Sequence, residues 1–369
     1  MGADNREIEM KLGLIEPCPK LYEILQKIGQ VSAMRSDELQ NVYFDTPERD
    51  LFAMKAGLRI RRGHKFAEQT LKLKGTALAG VHSRQEYNVD IAPDVTTPDL
   101  HLFPAEAFAD GSNLEALQQK LERQCEINFR RECYDLTYKN SLFEIAVDVG
   151  TIGAGTINAP LMELEIELKQ STLETPAIIA LFDELVFKLA QAGVKLTLEP
   201  FSKMHRAALL MGIRERNSLQ LPDNPAGDIS GYISIGLKAF ESLLGLYLVK
   251  FNPMYLGYMA YTLKCIRRAY DYLVVRSAED DNVNFSESFA ALRRNRKVIK
   301  RSLKDLAKFL RKQEQALLVH QLNGVEVDMP KAAQRLRVKI SKTQAFCLPL
   351  HLRALLLSLD NVKSVNQQA

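Results

Sequence analysis

The chain has no tryptophan and only five cysteines, Cys18, Cys125, Cys133, Cys265 and Cys347. No two cysteines form a CxxC pair, so neither a zinc knuckle nor a disulfide framework is expected, and a reduced cytoplasm is the natural compartment. Long apolar runs are also missing. The densest, Ser242 to Val249, falls well short of the roughly 18 residues a spanning helix needs, so no membrane partner is expected. The opening Met-Gly-Ala-Asp-Asn-Arg-Glu meets charge at once and lacks the apolar core of a signal peptide. Walker A, GxGxxG, GxSxG and HExxH patterns are absent, and the six histidines, His320 and His351 among them, show no ligand spacing. These absences remove the common nucleotide-binding, serine-hydrolase and zinc-protease readings. What remains is a globular composition, 46% hydrophobic and 25% charged over 369 residues, long enough for two domains.

Charge is unevenly distributed. Residues 1–216 hold 26 Lys and Arg against 32 Asp and Glu, a net of −6; residues 217–369 hold 23 against 13, a net of +10. Between the halves, residues 217–228 pack two prolines and a glycine into a polar stretch that reads as a linker. The expected domains are therefore 1–216 and 229–369. In the first, period-two alternation predicts strands over Arg6–Leu12, Leu58–Arg62, Gln69–Lys74, His82–Val89, Phe129–Asp135, Leu142–Val149 and Leu161–Lys169. Helical patterns lie between them at Pro19–Ile28, Asn113–Cys125 and Pro176–Ala192. The second domain reads as helical throughout: Ile229–Phe251, Pro253–Arg276, Ser286–Leu322 with one break, and Pro330–Leu359. The fold class is α+β followed by an all-α bundle.

The strands carry charge in an unusual way. Glu7, Glu9 and Lys11 share one face of their strand, with Ile8, Met10 and Leu12 on the other. Arg59 and Arg61 share a face, as do Lys72 and Lys74, Arg84 and Glu86, Glu144 and Asp148, and Glu163, Glu165 and Glu167; Arg131 lies on the face of Cys133. An open antiparallel sheet could turn all these faces to water. The three helices need an apolar surface, however, and favour a closed sheet with charge inside and apolar residues outside. Buried opposite charges in such number are costly without water, metal or a charged ligand. Clustered carboxylates suit a hard divalent cation, and Lys/Arg rows suit a multiply charged anion. Together they describe a metal–polyphosphate site.

Glu7-Ile8-Glu9-Met10-Lys11 forms an ExExK signature, and it heads an ordered series: Leu58-Arg59-Ile60-Arg61, Leu71-Lys72-Leu73-Lys74-Gly75, Arg84-Gln85-Glu86, Arg131, Glu144 to Gly150, Met162 to Leu168 and Ser202-Lys203. Over about residues 5–212 this series resembles the CYTH superfamily, named after class IV adenylate cyclases and thiamine triphosphatases. The resemblance implies a closed antiparallel β-barrel, the triphosphate tunnel. It implies Mg²⁺ or Mn²⁺ held by Glu7, Glu9, Asp148, Glu163 and Glu165. It also implies a triphosphate path lined by Lys11, Arg59, Arg61, Lys72, Lys74, Arg84, Arg131 and Lys203, with Glu86 and Glu144 as supporting carboxylates; one of these, or a second metal, would activate the attacking water. Lys195 is a further inward candidate.

Stacking residues are few on the charged faces, which favours inorganic triphosphate as substrate over a nucleoside or thiamine triphosphate. Adenylate cyclase activity, thiamine triphosphatase activity and non-catalytic polyphosphate binding are the alternatives. Residues 229–369 resemble the CHAD module, a helical polyphosphate binder, in Ile266 to Tyr270 and Arg335 to Lys339. They depart from it at Ala260, where a histidine is expected, and at Leu263, where an arginine is. A basic stripe at Arg293, Lys297, Lys300, Lys304, Lys308 and Arg311 recurs at helical spacing. That stripe makes long-chain polyphosphate a candidate partner of the helical half; nucleic acid is not an expected one.

Overall fold

A computed structural model of the chain describes residues 6–78, 81–108, 113–213, 228–279 and 287–341. Most of the expected linker, Cys347, His351 and the end of the last expected helix lie outside them, as do the side chains of Arg293 and Arg294. The elements in order are β1 (Arg6–Leu14), α1 (Leu21–Ile28), β2 (Gln30–Asp45), α2 (Asp50–Ala53), β3 (Gly57–Arg62), β4 (Ala67–Lys72), β5 (Thr76–Leu78), β6 (Val81–Asp90), α3 (Leu114–Gln119), β7 (Glu122–Tyr138), β8 (Ser141–Ala154), β9 (Ile157–Ser171), α4 (Thr175–Gln191), β10 (Leu196–Leu198), α5 (Lys203–Leu210), α6 (Ile229–Lys250), α7 (Met254–Glu279), α8 (Glu287–Leu322) and α9 (Met329–Ile340). They form two compact units. The first is Met1–Leu12, Pro17–Leu173 and Ser202–Arg214; the second is Gly13–Glu16, Glu174–Phe201 and Glu215–Ala369.

The first unit is a closed antiparallel barrel. Its strands run β1-β9-β8-β7-β2-β3-β4-β6, and β6 returns to β1 with Arg6 opposite Gln85 and Met10 opposite Val81. Closure pairs every edge. Lys139 and Asn140, at φ 44 and 59, make the two-residue turn that joins β7 to β8 and fixes their register. That register sets Arg131 opposite Asp148 and, on the next strand, Asp148 opposite Glu163. Outside the barrel, Val42, Phe44, Leu58, Ile60, Leu71 and Tyr87 pack with Leu51 of α2, Leu117 of α3 and the connecting Leu100 and Phe103.

The inner face is only partly charged. Cys125, Ile127 and Phe129 follow the same alternation as Arg131, and Leu161 follows that of Glu163. With Leu39, Tyr43 and Ile152 they form an apolar plug on which Ala207 of α5 seats. The sequence reading of charge inside and apolar residues outside is therefore corrected for one end of the barrel, where area burial wins over solvation.

Two expected elements change and two unexpected ones appear. Asn113–Cys125 is not one helix: α3 stops at Gln119, and Glu122 and Arg123 already pair with β2. The 16-residue strand β2 has no counterpart among the predicted strands, because residues 32 to 38 are mostly exposed and show no apolar period. The predicted break in Ser286–Leu322 is absent: α8 runs unbroken over Glu287–Leu322, a stretch without Gly or Pro. Helix α5 is additional, and the Ser202 hydroxyl caps it by accepting from the His205 N–H at 3.2 Å.

In the second unit α7 packs against both α6 and α8. Among the described residues α6 is the one helix long and apolar enough to cross a membrane, and half of that stretch is buried, including Ile233, Leu237, Phe240, Leu244 and Tyr247. The basic stripe on α8 is partly neutralised from its neighbour. Asp271 of α7 accepts from Arg296 Nε at 2.8 Å and from Lys300 at 2.7 Å. Arg311 pairs with Glu314 at 3.2 Å, and His320 is exposed.

Gly150 sits opposite Phe129 on the inner face, where an added Cβ would lie 2.1 Å from the Asn128 carbonyl oxygen and 2.5 Å from the Phe129 Cα. Neither backbone atom can step aside. Gly150→Ala is expected to destabilise the barrel by about 1–3 kcal/mol, read as a lower urea midpoint at an unchanged slope.

Candidate functional site

Three strands and one helix bring the innermost charges together. Asp148 of β8 and Glu163 and Glu165 of β9 offer oxygens within 4.8 Å of one another, and Asp148 and Glu163 have no solvent exposure, 0% each. Lys203, at the start of α5, reaches all three, at 2.7, 2.6 and 2.8 Å. Arg131 binds Asp148 in bidentate fashion, both contacts at 2.7 Å, and reaches Glu165 at 2.6 Å. Arg206, one turn beyond Lys203, contacts Glu163. The Lys203 ammonium and the Arg131 guanidinium also lie over the Phe129 ring, at 5.2 and 5.5 Å from its centroid, so the apolar plug forms the floor of the charged chamber.

A cavity of about 490 Å³ opens above this floor. On β1, Glu7 accepts from Lys72 at 2.9 Å and from Arg84 at 2.9 Å, Arg84 also reaches Glu9 at 2.6 Å, and Lys11 lies 3.3 Å from Glu165. Glu86 pairs with Lys72 at 2.6 Å. Glu144 pairs with Arg35, and Glu167 with Lys169 at 2.7 Å. On the facing wall Arg61 donates to Asn41 at 2.8 Å and approaches Glu68 at 3.6 Å. The lining side chains comprise ten Lys or Arg and seven Glu, a net of +3.

The electrostatics divide the cavity. Burial opposes ionisation of Asp148 and Glu165, but Arg131 and Lys203 outweigh it at Asp148, as Lys203, Lys11 and Arg131 do at Glu165; both carboxyls are held below their ordinary range. Burial likewise opposes the Lys203 charge, and the three carboxylates reverse that, holding it well above its ordinary value. Glu167 is raised, by burial first and then by Glu7 and Glu144, against the pull of Lys169. Arg61 is pushed down to about 10 by burial and by the neighbouring Arg59 and Arg131. Arg59 is buried, its nearest carboxylate is Glu86 at 3.8 Å, and its Nε has no hydrogen-bond partner. A buried guanidinium with an unmet donor beside a second, charge-crowded one is a place for an anion.

The donor set fits a divalent cation. Asp148, Glu163 and Glu165 supply only carboxylate oxygens, close enough for one ion, and Asp148 and Glu165 are held below their ordinary range, as hard cations require. Glu9 joins them through Lys11, which lies 3.7 Å from Glu9 and 3.3 Å from Glu165.

Of the residues expected from sequence, Glu7, Glu9, Glu165, Lys11, Arg59, Arg61, Lys72, Arg84, Arg131, Lys203, Glu86 and Glu144 line this cavity, with Asp148 and Glu163 buried beneath. The structure does not bring Lys74 to it, because β4 ends at Lys72 and Lys74 is exposed in the following coil. Nor does it bring Lys195, which is exposed and pairs with Glu16 at 2.8 Å. Arg206, Glu68, Asn41, Tyr43 and Lys169 were not among the expected residues. Glu68 was within reach, since alternation read two steps further back from Lys72 passes through it.

The CYTH domain profile matches residues 5–199, more than half of the chain. The chain belongs to the CYTH family. It is 30% identical over 175 residues to an inorganic triphosphatase of Haemophilus influenzae, covering 46% of this chain and 47% of that one, so it spans about half the length of this relative. Among solved structures, a Hippeastrum adenylyl cyclase candidate reported to have a dominant triphosphatase activity aligns at 19% identity, with 57% of this chain, 98% of that one and a TM-score of 0.37. An inorganic triphosphatase aligns at 22% identity, with 49% and 80% coverage and a TM-score of 0.22.

Carboxyls held low contribute stability that is present above their unfolded values and lost as pH falls below them. For Asp148 and Glu165 those values are 3.8 and 4.5. Thermal stability should therefore hold from neutral pH down to about 5 and fall steeply below about 4. Glu165→Gln should lower the plateau and flatten the acid limb, which melting scans across pH will read.

Proposed function

We propose that this protein hydrolyses inorganic triphosphate to diphosphate and phosphate, with Mg²⁺ or Mn²⁺, inside the barrel. The observation that carries this is the pairing of an all-oxygen carboxylate trio with a buried guanidinium, Arg59, whose Nε has no hydrogen-bond partner, across one cavity of net positive charge. The similarity to an inorganic triphosphatase and the chain's own CYTH domain support the same reading.

Arg59 and Arg61 bind phosphate oxygens, with the Arg59 Nε supplying a donor that no protein group uses. Lys72 and Arg84 exchange part of their bonding to Glu7 and Glu86 for the same anion, so substrate entry rearranges pairs and leaves few charges bare. Arg131 and Lys203 keep Asp148 and Glu165 ionised and aimed into the chamber. When bound by Asp148, Glu163 and Glu165, with Glu7 and Glu9 nearby, the divalent ion supplies charge neutralisation at the transferred phosphoryl group. Glu86 and Glu144 are the carboxylates available to accept a proton from attacking water. Among the described residues Tyr43 is the single aromatic side chain lining the cavity, and it is buried in the apolar plug. No open ring face is offered to a base or thiazolium, which favours inorganic triphosphate over the nucleotide and thiamine alternatives. Polyphosphate binding by the helical half has charge alone in its favour, and there Lys297, Lys304 and Lys308 are the stripe members without an ion pair among the described residues.

Phosphate release from tripolyphosphate, with Mg²⁺ or Mn²⁺ and with EDTA, tests this directly; no metal-dependent release by the pure protein would overturn it. Assays for cyclic AMP from ATP and for phosphate from thiamine triphosphate exclude the neighbouring activities. Arg59→Ala should cost about 1.5–3 kcal/mol in kcat/KM, the worth of a charged hydrogen bond. Arg62 points to the other face and holds the Pro93 and Val95 carbonyls. Arg62→Ala should therefore lower the melting temperature while leaving the kinetics of the folded enzyme near wild type.

A further inference from the structure

Lys55 lies at the end of α2, between β2 and β3, in the left-handed region at φ 58. Its N–H donates to the Phe52 carbonyl at 3.0 Å, and the next N–H, of Ala56, donates to Leu51 at 2.9 Å. Those two bonds are the Schellman closure of a helix, and the residue at this position is ordinarily glycine, because a side chain there crowds the backbone. A lysine in this place is unfavourable for the cap, yet the side chain lines the triphosphate cavity. Two positions on, Gly57 keeps the wall between Lys55 and Arg59 clear; a Cβ there would meet the Met204 sulfur at 3.2 Å.

All but one of the other cations on the cavity wall are matched by carboxylates, Arg59 most loosely, with Glu86 at 3.8 Å. Lys11, Lys72, Arg84, Arg131, Lys169 and Lys203 each have one within 3.3 Å, and Arg61 has one at 3.6 Å. Among the described residues, the Lys55 side chain has no ion pair or hydrogen bond, a condition it shares with Arg6 at the start of β1. Unlike the matched cations, Lys55 need release no carboxylate before it meets an anion.

The geometry points to Lys55 as a substrate-capturing residue that binds a phosphate group of the polyphosphate substrate, extending the cation row of Arg59 and Arg61 toward solvent. This rests on the triphosphatase reading. Its strained position fits a residue retained for binding at the expense of the cap.

The test uses the full chain as wild type, Lys55→Gly and Lys55→Arg, titrated calorimetrically with inorganic tripolyphosphate in EDTA, with melting curves and steady-state kinetics alongside. Glycine satisfies the cap, so Lys55→Gly should melt at an unchanged or higher temperature. Its Kd for tripolyphosphate should nevertheless rise about tenfold, with the effect on turnover falling on KM more than on kcat. Lys55→Arg should bind close to wild type. Equal binding by Lys55→Gly and wild type would overturn the assignment, as would lost binding accompanied by a lower melting temperature, since that marks a structural role. A wild-type protein that binds no tripolyphosphate would instead overturn the triphosphatase reading on which the assignment stands.

Discussion

The barrel is organised around one buried ammonium. Lys203 lies within 2.8 Å of Asp148, Glu163 and Glu165, each of which it meets in a chamber nearly without solvent. Three carboxylates at that spacing would repel one another strongly if left alone, and a lone buried lysine would give up its proton. Lys203 and the carboxylates of Asp148 and Glu165 hold each other ionised. Removing any one partner leaves an uncompensated charge, so the strand register that sets Asp148 beside Glu163 and the cap that starts α5 at Lys203 are both conditions for the chamber to exist.

Closure of the sheet makes this possible. With β6 returned to β1, the ExExK face of β1 has Arg84 on one side and, through Lys11, Glu165 on the other. An open sheet would solvate those charges and weaken every pair by screening. The apolar plug contributes by excluding water from one end, and the Phe129 ring gives Arg131 and Lys203 a polarisable surface to rest on.

Much of this was legible in the chain. Period two placed Glu7, Glu9 and Lys11 on one face without any partner strand, because alternation is local. The fold class followed from where strand and helix patterns changed over. What could not be read was anything decided by a distant neighbour. The stripe on α8 reads as a row of cations interrupted only by Asp305 until Asp271 of α7 is brought beside it. Arg206 has no motif of its own and gains meaning only because α5 stands over Glu163. Strand β2 escaped because its exposed first half has no apolar period, although fifteen of its sixteen residues pair with β7. Lys74 shows the opposite failure, an alternation that continues in sequence after the strand itself has ended at Lys72.

The apolar plug also decides how traffic must run. Leu39, Ile127, Phe129, Ile152 and Leu161, with Ala207 seated on them, close one end of the strands, so the charged chamber is a blind socket. A long anion cannot be threaded through such a socket and clipped at successive points. It can insert only a terminus, and under the proposed hydrolysis the released piece would back out through the opening by which it came before the next end could enter.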